Sequence, residues 1–424
     1  MVKSIKTEIE AKALLDSLFD AALMAALPSA VIERHLPEAP TGRVIVLGAG
    51  KASAAMAQAV EKAWPKADLS GVVVTRYDHA VPTERVRILE AGHPNPDANG
   101  VAATEAIMAA ARSAGPDDLV LCLISGGASA LLTAPTEGVS FEEKQRLNAV
   151  LLASGAPIDE MNTVRKRLSC VKGGRLADAI APAACLTLLI SDVPGDEPTV
   201  IGSGPTVPDP TPVDASLEIL DRYNISVSDD IRAVMAANDG LKRLPQNHRV
   251  SLIATPQMSL VAAAQAARTA GIKPIILGDA IEGEAREVSR VMAGIAKQVK
   301  RHGQPADAPV VLLSGGETTV TVRGQGRGGR NSEFSLGLAL ALDGEPGIYS
   351  MACDTDGIDG IEDNAGAFVS PDTLARCVER GLDARAHLHN NDSYRIFDAL
   401  DQLVVTGPTL TNVNDFRAIL IIDE

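Results

Sequence analysis

Short, almost wholly apolar runs alternate along the chain with longer stretches in which small and apolar residues recur at helical spacing. The runs at 44–47, 72–75, 119–124 and 186–190 predict strands in the first half. Those at 250–254, 274–277, 309–313, 349–352 and 403–405 predict strands in the second. Between them lie helical segments such as 52–63 and 259–270. A strand without polar alternation is buried on both sides, so the pattern reads as α/β with mainly parallel sheets covered on both faces. A Pro-rich stretch at 204–212 (GPTVPDPTP) and a helical segment at 215–223 interrupt the alternation before it resumes near 250. This places a domain boundary near residue 240, dividing the chain into 1–240 and 241–424. The first 20 residues read as an amphipathic helix with charges throughout, without the continuous apolar core of a secretory signal. One echo links the halves: LCLISGGASALL at 121–132 and VLLSGGETTVT at 311–321. Duplication and convergence on one loop chemistry both remain open for it.

The candidate chemistry lies where these strands end. After the first strand come Gly48-Ala49-Gly50-Lys51 and an Ala-rich helix. Glycine allows a sharp turn and close ligand approach, and a helix N-terminus favours an anion. Ile45 stands where a Walker A loop needs its first glycine, and Ser53 where a dinucleotide fingerprint needs its third. The next strand ends in Thr75-Arg76 instead of an acidic residue, which leaves NADP open. Lys51 suits a transferable phosphoryl group, or is an exposed lysine beside a structural turn.

Five more segments follow. Ser125-Gly126-Gly127-Ala128-Ser129 is either a backbone nest for an anion or a tight turn capping a helix. Asp192 follows a very apolar strand as a candidate base or metal ligand, while Asp196 and Glu197 belong to the solvent side of its loop. Ser314-Gly315-Gly316-Glu317 precedes RGQGRGGRNSE at 323–333, where Arg330 is favoured for function and Arg323 and Arg327 are left undecided. Asp356 lies in DTDGIDG, whose spacing fails for an EF-hand, and Asn412 and Asn414 lie in TGPTLTNVND. His387 and His389 have no third ligand in view, and His93 is a turn residue with a weak case.

Composition narrows the classes. Lys and Arg number 39 against 54 Asp and Glu, a net charge of −15, so no basic stripe exists to neutralise a nucleic-acid backbone. Aromatic residues are 3%, too few for base-stacking platforms. Five scattered cysteines without CxxC spacing read as buried, reduced thiols of a cytoplasmic protein, and no run reaches the length of a membrane span.

Taken in order, GAGKA, GHPNPDANG, LISGGASALL, NTVRKRLSCVKGGRLA, SDVPGDEPTVIGSGPT, LSGGETTVTVRGQGRGGRNSEF, DTDGIDG and GPTLTNVND resemble the MOFRL-type (class II) glycerate 2-kinases over nearly the whole chain. Asn95, Ser332 and Leu410 stand where that family more usually has Val, Gln and Gly. The resemblance implies a Rossmann-like N-terminal domain and a smaller C-terminal α/β domain, with the active site in the cleft between them. It implies ATP, Mg2+ and D-glycerate, with 2-phosphoglycerate as product. By position it marks Lys51, Asp192 and Arg330 as catalytic. It leaves Gly48, Gly50, Ser125, Gly126, Gly127, Ser129, Ser314, Gly315, Gly316, Glu317, Asn331, Asp356, Asn412 and Asn414 to bind substrate or nucleotide, and Asp192 and Glu317 to hold the metal. The family also carries the label hydroxypyruvate reductase, which keeps an NAD(P)H-dependent alternative open. No nucleic-acid or membrane partner is expected, and the oligomeric state, a homodimer included, stays open.

Overall fold

The structure is a computed structural model that describes residues 7–423. It divides into two compact units, one of residues 28–253 and one that joins the chain up to Leu27 with the chain from Ala254 onward. The division therefore falls after Ile253 and not near 240. The reason is that the strand at 248–254 completes the first sheet, and the N-terminal helix packs into the later unit. The first six residues of the expected N-terminal helix lie outside the described residues.

In the unit of residues 28–253, the strands are β1 Val44–Ala49, β2 Leu69–Arg76, β3 Val86–Ala91, β4 Leu119–Ile124, β5 Ala184–Ile190 and β6 His248–Ala254. They form one sheet in the order β3-β2-β1-β4-β5-β6. The β1–β2, β2–β3, β1–β4 and β4–β5 pairs are parallel. The fully apolar sequence of β1 fits burial at every position. Ile45, Leu47, Val72, Val74, Val120 and Cys122 build a core with Ile107 of the helix Ala98–Arg112. The chain runs from β1 outward to β2 and β3, then returns to the other side of β1 as β4. That reversal is a topological switch point, where ligands of open parallel sheets bind at the carboxyl ends of the strands. The helices Phe141–Ala153, Ile158–Arg167, Val213–Arg222 and Asp229–Ala237 close a second, smaller core around Leu147, Val164 and Leu220.

The other unit carries β7 Lys273–Gly278, β8 Gly283–Glu284, β9 Val310–Gly316, β10 Thr318–Thr319, β11 Ile348–Asp354, β12 Gly366–Val369, β13 Leu403–Val404 and β14 Asp415–Ile421. Its main sheet has the order β13-β12-β11-β14-β9-β7. Only β7 and β9 run parallel in it. The β9–β14, β14–β11, β11–β12 and β12–β13 pairs are antiparallel, so the expectation of mainly parallel sheets fails for this unit. It fails because β12 and β14, which run antiparallel to their neighbours, lie outside the strands predicted from sequence; β3 of the first unit was likewise not predicted. Coverage on both faces does hold. Along β9, Val311 and Leu313 pack with the helices Glu8–Met24 and Pro256–Thr269, whereas Val310 and Leu312 pack with Ala285–His302 and Arg330–Leu342. Among the described residues, no helix is long and apolar enough to cross a membrane, and all five cysteines are free thiols.

Candidate functional site

The switch point of the parallel sheet gathers most of the first unit's candidates. Because β1 and β4 pair in register from Val44↔Leu119 to Ala49↔Ile124, the turns that follow them lie side by side. The Ser125 amide donates to Ala49 O at 3.0 Å and the Lys51 amide to Gly126 O at 2.8 Å. Ser125 Oγ accepts from the Ala52 amide at 3.0 Å, so it caps the start of the helix Ser53–Ala63. Gly50 has φ 131°, and a Cβ there would collide with the hydroxyl and carbonyl of Ser125. Glycine is thus what lets the two turns touch. Ser53 fills the place of the missing fingerprint glycine. It is buried, and its hydroxyl donates to Gly50 O at 2.6 Å. Gly48 is buried inside β1 and faces β4, a packing position. Asp192 is half-buried just beyond the end of β5, the neighbour of β4. Lys51, Ser125–Gly127 and Asp192 therefore share one edge of one sheet.

Three residues join this edge that sequence reasoning undervalued or missed. His93 packs on the turn: a Cβ on Gly127 would lie 2.9 Å from His93 Nε2 and 3.5 Å from Lys51 Cγ. Ser129 Oγ lies 2.8 Å from Ser203 Oγ. The buried Lys172 donates to Ser129 O at 2.6 Å and to Ser129 Oγ at 2.9 Å. The signal for Lys172 was the density of cations in NTVRKRLSCVKGGRLA, visible in sequence yet not separable there from a solvated face.

The second unit's candidates centre on Arg330, the first residue of the helix Arg330–Leu342. Its Nε donates to Asp415 Oδ1 at 2.7 Å, Nη1 to Glu317 Oε1 at 2.9 Å and Nη2 to Asp354 Oδ2 at 2.7 Å. Burial works against the charge, but Asp415, Asp354 and Glu317 outweigh it and hold the guanidinium above its ordinary pKa. Arg417, fully buried, shares Asp415. Asn331 Nδ2 donates to the same carboxylate at 2.8 Å. The N-terminus of this helix is already occupied by Asp359, which accepts from the amides of Asn331 and Ser332, both at 2.8 Å.

Several predicted loop residues have structural duties here. Ser314, Gly315 and Gly316 lie within β9, paired to β14, and are not a loop. Gly316, at φ 118°, is where the backbone of Ile281 passes too close for a side chain. The echo with residues 125–129 is therefore not one loop geometry used twice. The segment 323–327 is clamped: Asn391 Oδ1 accepts from the amides of Arg323 and Gly324, and Asp392 Oδ1 from that of Arg327. Arg327 pairs with Glu362 and lies over the Tyr394 ring. Asp356 is buried, and its carboxylate accepts from the Ile358 amide at 2.9 Å. Asn412 Oδ1 accepts from the Asn414 amide at 3.2 Å, a side-chain turn leading into β14. Between Thr318–Val322 and Gly326–Arg330 lies a polar cleft of about 440 Å³, with Glu317, Arg330 and Asn391 in its walls.

As metal ligands, Asp192 and Glu317 must be judged by their donor sets. Among the described residues no group of three His, Cys, Asp or Glu could hold an ion, and Glu317 is engaged by Arg330. Neither carboxylate thus belongs to an all-protein cage among the described residues.

Residues 14–236 match DUF4147, a domain of unknown function, and residues 310–415 match the MOFRL family. A protein from Agrobacterium vitis that carries the provisional name hydroxypyruvate reductase is 55% identical over 98% of this chain and 95% of its own. The D-glycerate 2-kinase of Thermotoga maritima is 40% identical over 94% of this chain and 95% of its own. The crystal structure of glycerate kinase from Thermotoga maritima superposes with a TM-score of 0.91 at 39% identity, covering 98% of this chain and all of that one. The chain belongs to the MOFRL-type glycerate 2-kinase family, some of whose members carry the hydroxypyruvate reductase label.

Proposed function

We propose that the protein transfers the γ-phosphoryl group of ATP to the 2-hydroxyl of D-glycerate, giving 2-phosphoglycerate and ADP. The observation that carries this reading is the placement of Lys51 at the switch point of the parallel sheet, beside the Ser125-Gly126-Gly127 turn. Support also comes from the relative at 40% identity named for this reaction. In the proposed step the 2-hydroxyl oxygen forms a bond to the γ-phosphorus. The bond from that phosphorus to the β–γ bridging oxygen breaks, and the hydroxyl proton passes to Asp192. Lys51 stabilises charge on the γ-phosphoryl oxygens as it develops. Arg330, held in place by its three carboxylates, offers its remaining N–H groups to nucleotide phosphate oxygens in the cleft of its own unit. Magnesium, bound with the nucleotide, supplies further charge neutralisation.

The second reading, reduction of hydroxypyruvate by NAD(P)H, is favoured by the name of the 55% identical relative. Ser53 weighs against it, since a side chain fills the position where a dinucleotide loop needs its third glycine. Two assays separate the readings: ATP, Mg2+ and D-glycerate with detection of 2-phosphoglycerate, and hydroxypyruvate with NADPH followed by absorbance. A cytoplasmic site of action suits the five free thiols.

A further inference from the structure

Besides the exposed Arg146, which pairs with Glu143, six cationic side chains gather between residues 144 and 175 of a chain whose net charge is −15: Lys144, Arg165, Lys166, Arg167, Lys172 and Arg175. All are buried or half-buried. Among the described residues, ion pairs reach only two of them, Lys166 with Asp209 at 3.5 Å and Arg167 with Asp239 at 2.7 Å. The other four hydrogen-bond only neutral acceptors. Lys144 donates to Thr133 O at 2.6 Å, Arg165 to Asn148 Oδ1 at 2.6 Å and Arg175 to Asn238 Oδ1 at 2.7 Å. Lys172 donates to Ser129 alone. The charges of Asp209 and Asp239 act on Arg175, but a buried cation that meets no carboxylate, as Lys172 does here, is costly and favours a bound anion.

Lys172 marks where that anion belongs. It is 3% exposed, and two of its three protons go to the carbonyl and hydroxyl of Ser129. The third has no acceptor among the described residues. Burial first, and then the charges of Lys144, Arg165 and Lys166, hold its ammonium well below the ordinary lysine range. A bound anion would relieve both effects. Ser203 completes the group. It is buried, with φ 63° between Gly202 and Gly204, and this unfavourable backbone sets its hydroxyl 2.8 Å from that of Ser129. Ser129 itself is half-buried, so the group reaches the surface through the turn that also meets Lys51.

We propose that Lys172, Ser129 and Ser203 form the subsite for the carboxylate of the hydroxy-acid substrate. The Ser125–Gly127 end of the same turn lies beside Lys51, toward the reacting hydroxyl. This rests on the kinase reading above and adds to it the group that recognises the acid. The test is steady-state kinetics of Lys172→Met and Ser129→Ala, with calorimetric binding of D-glycerate and of acetate to the full-length protein. The expected result is a KM for D-glycerate raised about 10–100-fold, the effect of losing one hydrogen bond to a charged group. The KM for ATP should stay within about twofold of wild type. A rise in the ATP KM alone, or no change in either, overturns the proposal. Should Lys172→Met fail to fold, Ser129→Ala decides between these outcomes, because it keeps the buried lysine and its bond to the Ser129 carbonyl. If the wild type binds D-glycerate or acetate through Lys172 yet makes no phosphoglycerate, the kinase reading fails and the subsite stands. If it binds neither, the subsite fails.

Discussion

Asp118 shows how single charges hold the sheet that carries Lys51. Its carboxylate pairs with Arg43, the residue before β1, and accepts from the Gly115 amide. The hydrogen bond from Arg43, followed by that from Gly115, brings its pKa down from 3.8 to about 2. A carboxylate with a lowered native pKa stabilises the fold fully above its unfolded value and loses that contribution as pH falls through its native one. The melting temperature of wild type should therefore fall more steeply than that of Asp118→Asn as pH drops from about 4 toward 2. Parallel profiles would remove the pair from the stability account. At this scale the sequence was informative about kind and poor about context. Lys51 and Arg330 stand out because a cation among glycines is unusual. Nothing in the local pattern told that Arg330 would meet Asp354 and Asp415, which come from β11 and β14. Leu410, where the family more usually has Gly, sits at φ 63°, so the departure is visible as backbone strain.

Among elements, the decisive contact is between the turns after β1 and β4. Gly50→Ala should destabilise the protein by roughly 1–3 kcal/mol, since its φ of 131° and the approach of Ser125 both exclude a side chain. Chemical denaturation checks this, and an unchanged midpoint would show that the turns need no such approach. The strands of this sheet were mostly legible because parallel strands buried on both faces are continuous apolar runs. The second sheet was less so. β14 carries Arg417 in the middle of its run and begins at Asp415, both nearly inaccessible. Two buried charges paired with each other broke the apolar signature of the strand between β9 and β11. The Ser-Gly-Gly echo does not extend to the local structure. The three residues follow β4 as a turn in one sheet and form the last three residues of β9 in the other.

At the scale of the whole chain, the unit of residues 254–423 depends on a helix from the far end of the sequence. Leu15, Leu18 and Phe19 of Glu8–Met24 are buried against Leu260 and Ala264, and the Phe19 ring lies 5.5 Å from that of Phe416. Phe19→Ala should cost about 3–5 kcal/mol. It should raise hydrogen exchange in Pro256–Thr269 and β14 while leaving β1 and β4 protected. Uniform loss across both sheets would contradict the division into units. The alternation of strands and helices made two domains legible, but that the first helix belongs with the second unit was not, since amphipathicity says that a face is covered and not by what. The role of Lys51 in phosphoryl transfer is tested by turnover of Lys51→Ala and wild type with ATP, Mg2+ and D-glycerate, folding being checked by thermal melting. Wild type should form 2-phosphoglycerate, and the variant should lose about 10²–10³ in turnover at unchanged melting temperature. Near wild-type turnover in the variant, or wild-type activity only with hydroxypyruvate and NADPH, would contradict the account.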